Sequence, residues 1–267
     1  MDFTLFYDIP PHVFISCAAL LGCVFGSFYA VCIYRHGAGL SLVWPPSHCP
    51  HCQERLRPWE LVPVLSWLTL RGRCRHCGKS IHWRYPAVEA VSGGVSALLA
   101  WKFGPSVEFC TYFFFCGMLI VASGIDFAEF LLPDVITLGG AALALPAAPL
   151  LLGLPWELSL AGGLAGAGMF WLVRALHGLR CGYEGMGLGD VKLMLLLGLL
   201  CGVQRLPLLV IVAGVTALAY LLLAAVATRQ PAATMRVPFG PFLCAGFLTV
   251  VLAGDDIMSW WLALLAS

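Results

Sequence analysis

Six acidic residues, Glu89, Asp126, Glu129, Asp134, Glu184 and Asp190, stand in or beside strongly apolar stretches of a 267-residue chain. An ionisable side chain at membrane depth is costly, so each is a candidate for chemistry or for an ion path. Asp126 closes Gly124-Ile125-Asp126, and Asp190 opens a run in Gly187-Leu188-Gly189-Asp190-Val191-Lys192. Two carboxylates at close range cannot both ionise. They share one proton and then offer a base to activate water and an acid to protonate a carbonyl or a departing amine. Such a pair hydrolyses peptides with neither metal nor nucleophile. The glycines ahead of Asp190 would let an extended substrate backbone approach closely. The competing role is helix capping, for Asp134 above all, because it follows Pro133 at the start of an apolar run.

A second constellation is Cys49-Pro50-His51-Cys52 and Cys74-Arg75-His76-Cys77, two C-x-x-C pairs separated by 21 residues. Each pair can turn as a knuckle with both thiolates on one ion, and two knuckles complete the tetrahedron of a structural Zn2+ site. His48, His51 and His76 are substitute ligands, but four thiolates already fill the shell. Disulfides are the alternative in an oxidising compartment, and a redox role is a weaker one, since nothing resembles a thioredoxin-type unit. The other eight cysteines, Cys17, Cys23, Cys32, Cys110, Cys116, Cys181, Cys201 and Cys244, lack paired spacing and read as small buried hydrophobes. No G-x-S-x-G, H-E-x-x-H or Walker motif occurs.

The elements that carry these residues follow from composition. The chain is 60% apolar and 11% charged, too little polar surface for a water-soluble globule. A net charge of +1 argues against a nucleic-acid partner. Apolar stretches at 12–34, 87–103, 107–125, 134–154, 158–177, 189–203, 206–227 and 239–264 suggest about eight transmembrane helices. The stretch at 189–203 is short and could be tilted, broken or re-entrant. Asp2 and Asp8 precede the first stretch and Arg35 follows it, the wrong polarity for a signal peptide and the right one for an outside N-terminus. Eight crossings then leave Lys102 and Arg205 outside and the other Lys and Arg inside. The fold class is therefore all-α, a polytopic membrane helical bundle with a small cytoplasmic zinc-binding loop. Expected boundaries are 1–34 for the first helix, 35–86 for the four-cysteine zinc-binding loop and 87–267 for the remaining bundle. Basic residues around the loop suit anionic membrane lipids. Gly162, Gly163, Gly166 and Gly168 suit close helix packing. A transporter using intramembrane acids is the rival from another class.

The motifs taken in order resemble the type IV prepilin peptidases over nearly the whole chain. The resemblance rests on Gly26-Ser27-Phe28 with Tyr34-Arg35, the segment from Pro46 through Cys49-Pro50-x-Cys52, and Cys74-x-x-Cys77 leading to Ile81, Arg84-Tyr85-Pro86 and Glu89. It continues through Ile125-Asp126, Leu132-Pro133-Asp134, Glu184 to Lys192, and Pro238-Phe239-Gly240-Pro241. It implies a bifunctional enzyme of the bacterial inner membrane, an aspartyl endopeptidase of the G-x-G-D type with its active site at the cytoplasmic face. Its substrates would be prepilins or type II secretion pseudopilins, cut after a short basic leader. The new N-terminal residue would then be methylated from S-adenosylmethionine, at a site the sequence does not reveal. The resemblance associates the loop at 35–86 with methyl transfer and makes the bundle at 87–267 the aspartyl peptidase. By the same resemblance Asp126 and Asp190 form the catalytic pair, while Asp134, Glu89, Gly187, Gly189 and Lys192 support it, with Glu89 facing the inner leaflet. A peptidase without methyl transfer is the nearer alternative. One departure is Ala128, where relatives often carry a further acid; Glu129 follows it.

Overall fold

The computed structural model describes residues 9–44, 46–182, 186–231 and 235–266. Asp2, Asp8, Glu184, Gly185 and the side chain of Cys181 lie outside the described part. Within it the apolar runs wind as helices, whose main-chain groups are satisfied inside the segment as a hydrocarbon surrounding requires. They are α1 (Pro11–Gly37), α2 (Leu65–Thr69), α3 (Arg84–Phe103), α4 (Val107–Glu129), α5 (Asp134–Leu151), α6 (Trp156–Cys181), α7 (Leu188–Cys201), α8 (Leu206–Thr228) and α9 (Gly240–Ala266). The described residues form no strand, only the isolated bridges His48 to Arg55 and Arg73 to Ser80.

The eight expected apolar segments all fold as helices, but six are long and apolar enough to cross a membrane: α1, α4, α5, α6, α8 and α9. The other two fall short for different reasons. In α3 the apolar run is broken by Glu89, Ser92 and Ser96. The 14 residues of α7 span about 21 Å at 1.5 Å each, against about 30 Å of hydrocarbon. That helix is continuous rather than broken, and it ends at Gly202, whose φ of 76° with ψ of 162° lies in a region kept almost wholly for glycine.

The chain divides into two compact units, Met1–Ala128 and Glu129–Ser267. In the first, Ala18, Gly22, Gly26 and Ala30 make a buried stripe at four-residue spacing along α1. A Cβ on Gly22 would stand 2.6 Å from the Ser92 carbonyl oxygen, and one on Gly26 2.7 Å from the Glu89 Cα, so α1 and α3 meet nearly backbone to backbone. The Ser96 hydroxyl donates to the Ala18 carbonyl at 2.6 Å, which secures the pair without hydrophobic contrast against lipid. Helix α4 runs parallel to α1. Phe109 packs on Phe14, Phe113 on Phe25, Gly117 on Tyr29 and Gly124 on Ile33. The C-terminal end of α4 therefore lies level with Ile33, at the end of the unit where α1 runs into the four-cysteine loop.

In the second unit α7 is the core. Leu193, Met194, Leu196, Leu197 and Leu200 are buried on all sides, the signature of a helix enclosed by others. Gly162 faces Gly198, Gly163 faces Leu199 and Gly166 faces Met194, which makes these three the close-packing face expected of them; a Cβ on Gly168 would meet nothing. The Ser159 hydroxyl donates to the Leu199 carbonyl at 2.8 Å across the same contact. Of the cysteines expected to be buried, Cys116 and Cys201 are, whereas Cys17 and Cys110 are exposed and Cys23, Cys32 and Cys244 half-buried. Helices that meet lipid leave much of their surface outside the protein core.

Candidate active site and metal centre

The four-cysteine loop of the first unit builds two knuckles of one design. The Cys49 N–H donates to the Glu54 carbonyl and the Gln53 N–H to the Cys49 carbonyl; likewise the Cys74 N–H donates to Lys79 and the Gly78 N–H to Cys74, all at 2.8–2.9 Å. The residue after each second cysteine, Gln53 or Gly78, carries a positive φ, 59° and 69°, which turns both thiols of a pair the same way. The two pairs come together, with all four Sγ atoms within 4.8 Å of one another. Cys49 lies 3.9 Å from Cys77 and Cys52 4.0 Å from Cys74. A disulfide needs about 2.05 Å, so these are thiols arranged around a common point. Burial would raise the Cys49 thiol, but N–H groups of Cys52 and His51 and the neighbouring thiols hold it down to about 7. Cys52 feels a lowering N–H from Glu54, yet burial and the three other thiols push it up to about 11. Four thiols crowded this way give up their protons together only to a cation.

Glu89 was expected to face the inner leaflet. It is 9% exposed, and its Oε2 accepts the Val64 N–H at 2.7 Å. Val64 carries φ 59°, a strained value for a β-branched residue, and the carboxylate of α3 fixes the loop there. Gly26 of α1 packs on the Glu89 main chain, and the Glu89 carboxylate turns to the loop rather than to lipid.

Asp126 occupies the last turn of α4 and is 6% exposed. It sits two residues past Gly124, at the loop end of its own unit. In the second unit Asp190 stands in the first turn of α7, the end of a helix that favours negative charge. Its segment is held from two sides. Arg174 of α6 donates to the Met186 carbonyl, and Gly189 lies against Leu132, whose Cβ would be 2.9 Å from a Cβ at position 189. Gly189 thus packs against Leu132, whereas Gly187 stays open, with Asp190 Oδ2 the nearest atom at 3.7 Å from an added Cβ. Asp134 does not cap α5: Pro133 takes that position without a side-chain bond. Its carboxylate instead pairs with Lys192 Nζ at 2.6 Å, and Phe239 stacks loosely on Phe170 at 6.1 Å. The motif residues of the second unit are therefore gathered at one end of it. Arg174 and the pairing of Asp134 with Lys192 escaped the sequence reading. Only their charge inside apolar helices signalled them.

Residues 20–103 match the bacterial peptidase A24 N-terminal domain, and residues 113–222 match the type IV leader peptidase family. A prepilin leader peptidase/N-methyltransferase of Pseudomonas putida is 36% identical over 96% of this chain and 96% of its own length. Proteins of the same description from Dickeya chrysanthemi and Bacillus subtilis are 34% and 33% identical, covering 98% and 93% of the chain and 99% and 98% of their own. No solved structure matches the chain.

Proposed function

The chain belongs to the type IV leader peptidase family, an enzyme of the membrane with peptidase and N-methyltransferase activity, and we propose that Asp126 and Asp190 are its catalytic pair. The supporting observation is that each is fixed at a helix end by its own unit, Asp126 buried in the last turn of α4 and Asp190 in a segment clamped by Arg174 and Leu132. The substrates are prepilins or type II secretion pseudopilins, whose apolar helix lies in the membrane and presents the scissile bond at its cytoplasmic edge. One carboxylate takes a proton from water as the water attacks the carbonyl carbon. The other, protonated, hydrogen-bonds the carbonyl oxygen, and the proton gained by the first then passes to the departing amine. Asp134 with Lys192 and Gly189 against Leu132 hold the second carboxylate's segment in register, Gly187 leaves room beside that carboxylate, and Glu89 holds the loop.

The four thiolates hold Zn2+. A tetrahedral zinc with Zn–S of about 2.3 Å sets its sulfurs about 3.8 Å apart, close to the 3.9 and 4.0 Å of Cys49 to Cys77 and Cys52 to Cys74. Bound there, the ion would cross-link the two knuckles through Cys49, Cys52, Cys74 and Cys77. S-Adenosylmethionine supplies an electrophilic methyl group for the new N-terminal amine. The excess of Lys and Arg in the loops following α1, α4, α6 and α8 supports an inner-membrane orientation with the N-terminus outside, in which α3, packed along α1, and α7, enclosed by protein, carry the chain back rather than long lipid-facing spans, and the basic four-cysteine loop then rests on anionic lipids.

Intact mass of a prepilin incubated in liposomes with the enzyme and S-adenosylmethionine tests this reading. Loss of the leader with gain of one methyl group is expected. An uncut prepilin and an uncut pseudopilin in the presence of folded, zinc-loaded enzyme would overturn it.

A further inference from the structure

Residues 130–133 join the end of α4 at Glu129 to the start of α5 at Asp134. They follow closely on Asp126, and the chain passes from the first unit to the second between Ala128 and Glu129. The far end of this connection is fixed. Leu132 is buried and lies against Gly189, the residue before Asp190. Pro133 holds its φ at −64° and biases Leu132 ahead of it toward extended backbone. The Pro133 carbonyl accepts the Ile136 and Thr137 N–H groups, both at 3.0 Å, and the Thr137 hydroxyl at 3.2 Å. At the near end Asp126 is fixed in the last turn of α4. Between that helix and Leu132 stand Phe130 and Leu131.

Phe130 turns the chain there. Its φ is 54°, in the left-handed region where a Cβ crowds the carbonyl oxygen that follows it. Helices α3, α6 and α7 make the same kind of exit on Gly104, Gly182 and Gly202, with φ of 59°, 75° and 76°, and glycine does so freely. At the end of α4 a bulky aromatic takes its place, with a ring 56% exposed that gains little from packing to offset the strain. Among the described residues Gln53, Val64, Arg71 and Arg229 share this conformation, the first three in the four-cysteine loop and the last at the end of α8. Phe130 stands four residues from Asp126. Strain of this kind persists where the surroundings dictate the main chain, and it gathers at functional sites. Here the surroundings are a helix end bearing one aspartate and an anchor beside the other.

We propose that Phe130 is a positioning residue of the peptidase, whose left-handed main chain sets the short connection that carries Asp126 to the anchor of the segment bearing Asp190. The proposal rests on the catalytic-pair reading above and adds the residue that links its two halves. The main chain acts here, and the ring does not. Gly and Asn take a positive φ readily, Leu about as Phe does, and Ile least of all, because its branched Cβ is crowded on both sides. A bend opened by Ile displaces Asp126 from the groups it acts with, whereas the apolar substrate helix is bound elsewhere.

The test is leader cleavage, as kcat and KM, by full-length, zinc-loaded F130G, F130N, F130L and F130I in liposomes. Methyl transfer to an already cleaved prepilin is measured beside it. F130G, F130N and F130L should keep kcat within about threefold, and F130I should lose about tenfold or more with KM and methyl transfer unchanged. Full kcat in F130I would overturn the proposal. So would F130G and F130N falling below F130L, which would assign the effect to the ring, and so would a loss of methyl transfer in step with cleavage, the mark of a general effect on the fold. D126N and D190N are assayed in parallel. If either cleaves, the catalytic-pair reading fails whatever the Phe130 series shows; if neither does, the series judges this proposal alone.

Discussion

Asp134 and Lys192 are 2.6 Å apart but 62% and 29% exposed. Exposed pairs contribute about 0–1 kcal/mol, because solvent screens them and two long side chains must be held still. K192A should therefore slow leader cleavage only a few-fold and leave thermal unfolding almost unchanged, as initial rates and a melting curve would show. A loss beyond about a hundredfold would mean that Lys192 touches the reacting groups. Arg174 is different. It donates to a main-chain carbonyl of the segment carrying Asp190, and R174M should lower kcat more than KM, since the apolar substrate helix is bound elsewhere. Which of these residues could be read in advance follows from their physics. Asp126, Asp190 and the four cysteines announce themselves by type, as carboxylates in apolar surroundings and thiols in paired spacing. Glu89 and Arg174 act on partners that only the folded chain supplies, Val64 N–H and Met186 C=O, and no spacing rule names a main-chain atom.

The helices show the same division. Their positions were legible because long apolar runs have no other way to satisfy their backbone in hydrocarbon. What was not legible was the rank of α7, whose all-round apolar surface suits a lipid-facing span and a buried core helix equally well. Its surroundings decide the matter: α6 approaches through Gly162 and Gly198, and Leu132 presses on Gly189. Two substitutions probe these contacts. G189V forces a branched side chain onto Leu132, a strain of about 1–3 kcal/mol, and should lower both thermal stability and cleavage. G22L, at the contact of α1 with Ser92 and Ser96, should separate α1 from α3 and release the Glu89 hold on Val64. Limited proteolysis of the four-cysteine loop would report that release as faster cutting, and unchanged cutting would show the loop to be held by its metal alone.

At the scale of the molecule, one unit carries the metal loop and Asp126 and the other carries Asp190, whereas the family models divide the chain earlier, the second covering residues 113–222 and so both aspartates. The metal acts inside the first unit. C49S with C74S should reduce bound zinc from one ion per chain to none, since structural sites lose their folding contribution with their ligands. Methyl transfer should then fall further than cleavage, which elemental analysis and separate assays of the two reactions would show. Equal loss of both would mean that the loop also holds the peptidase half in shape. The central claim is that Asp126 and Asp190 act as one catalytic unit. It is tested most directly by kcat/KM for leader cleavage in D126N, D190N and the double variant, each checked for zinc content and cooperative unfolding. Residues that share one proton are not additive, so each single variant should lose activity by about 10²–10⁴-fold or more and the double variant should be no worse than the singles. A single variant that retains cleavage, or two losses that multiply in the double, would contradict the shared pair.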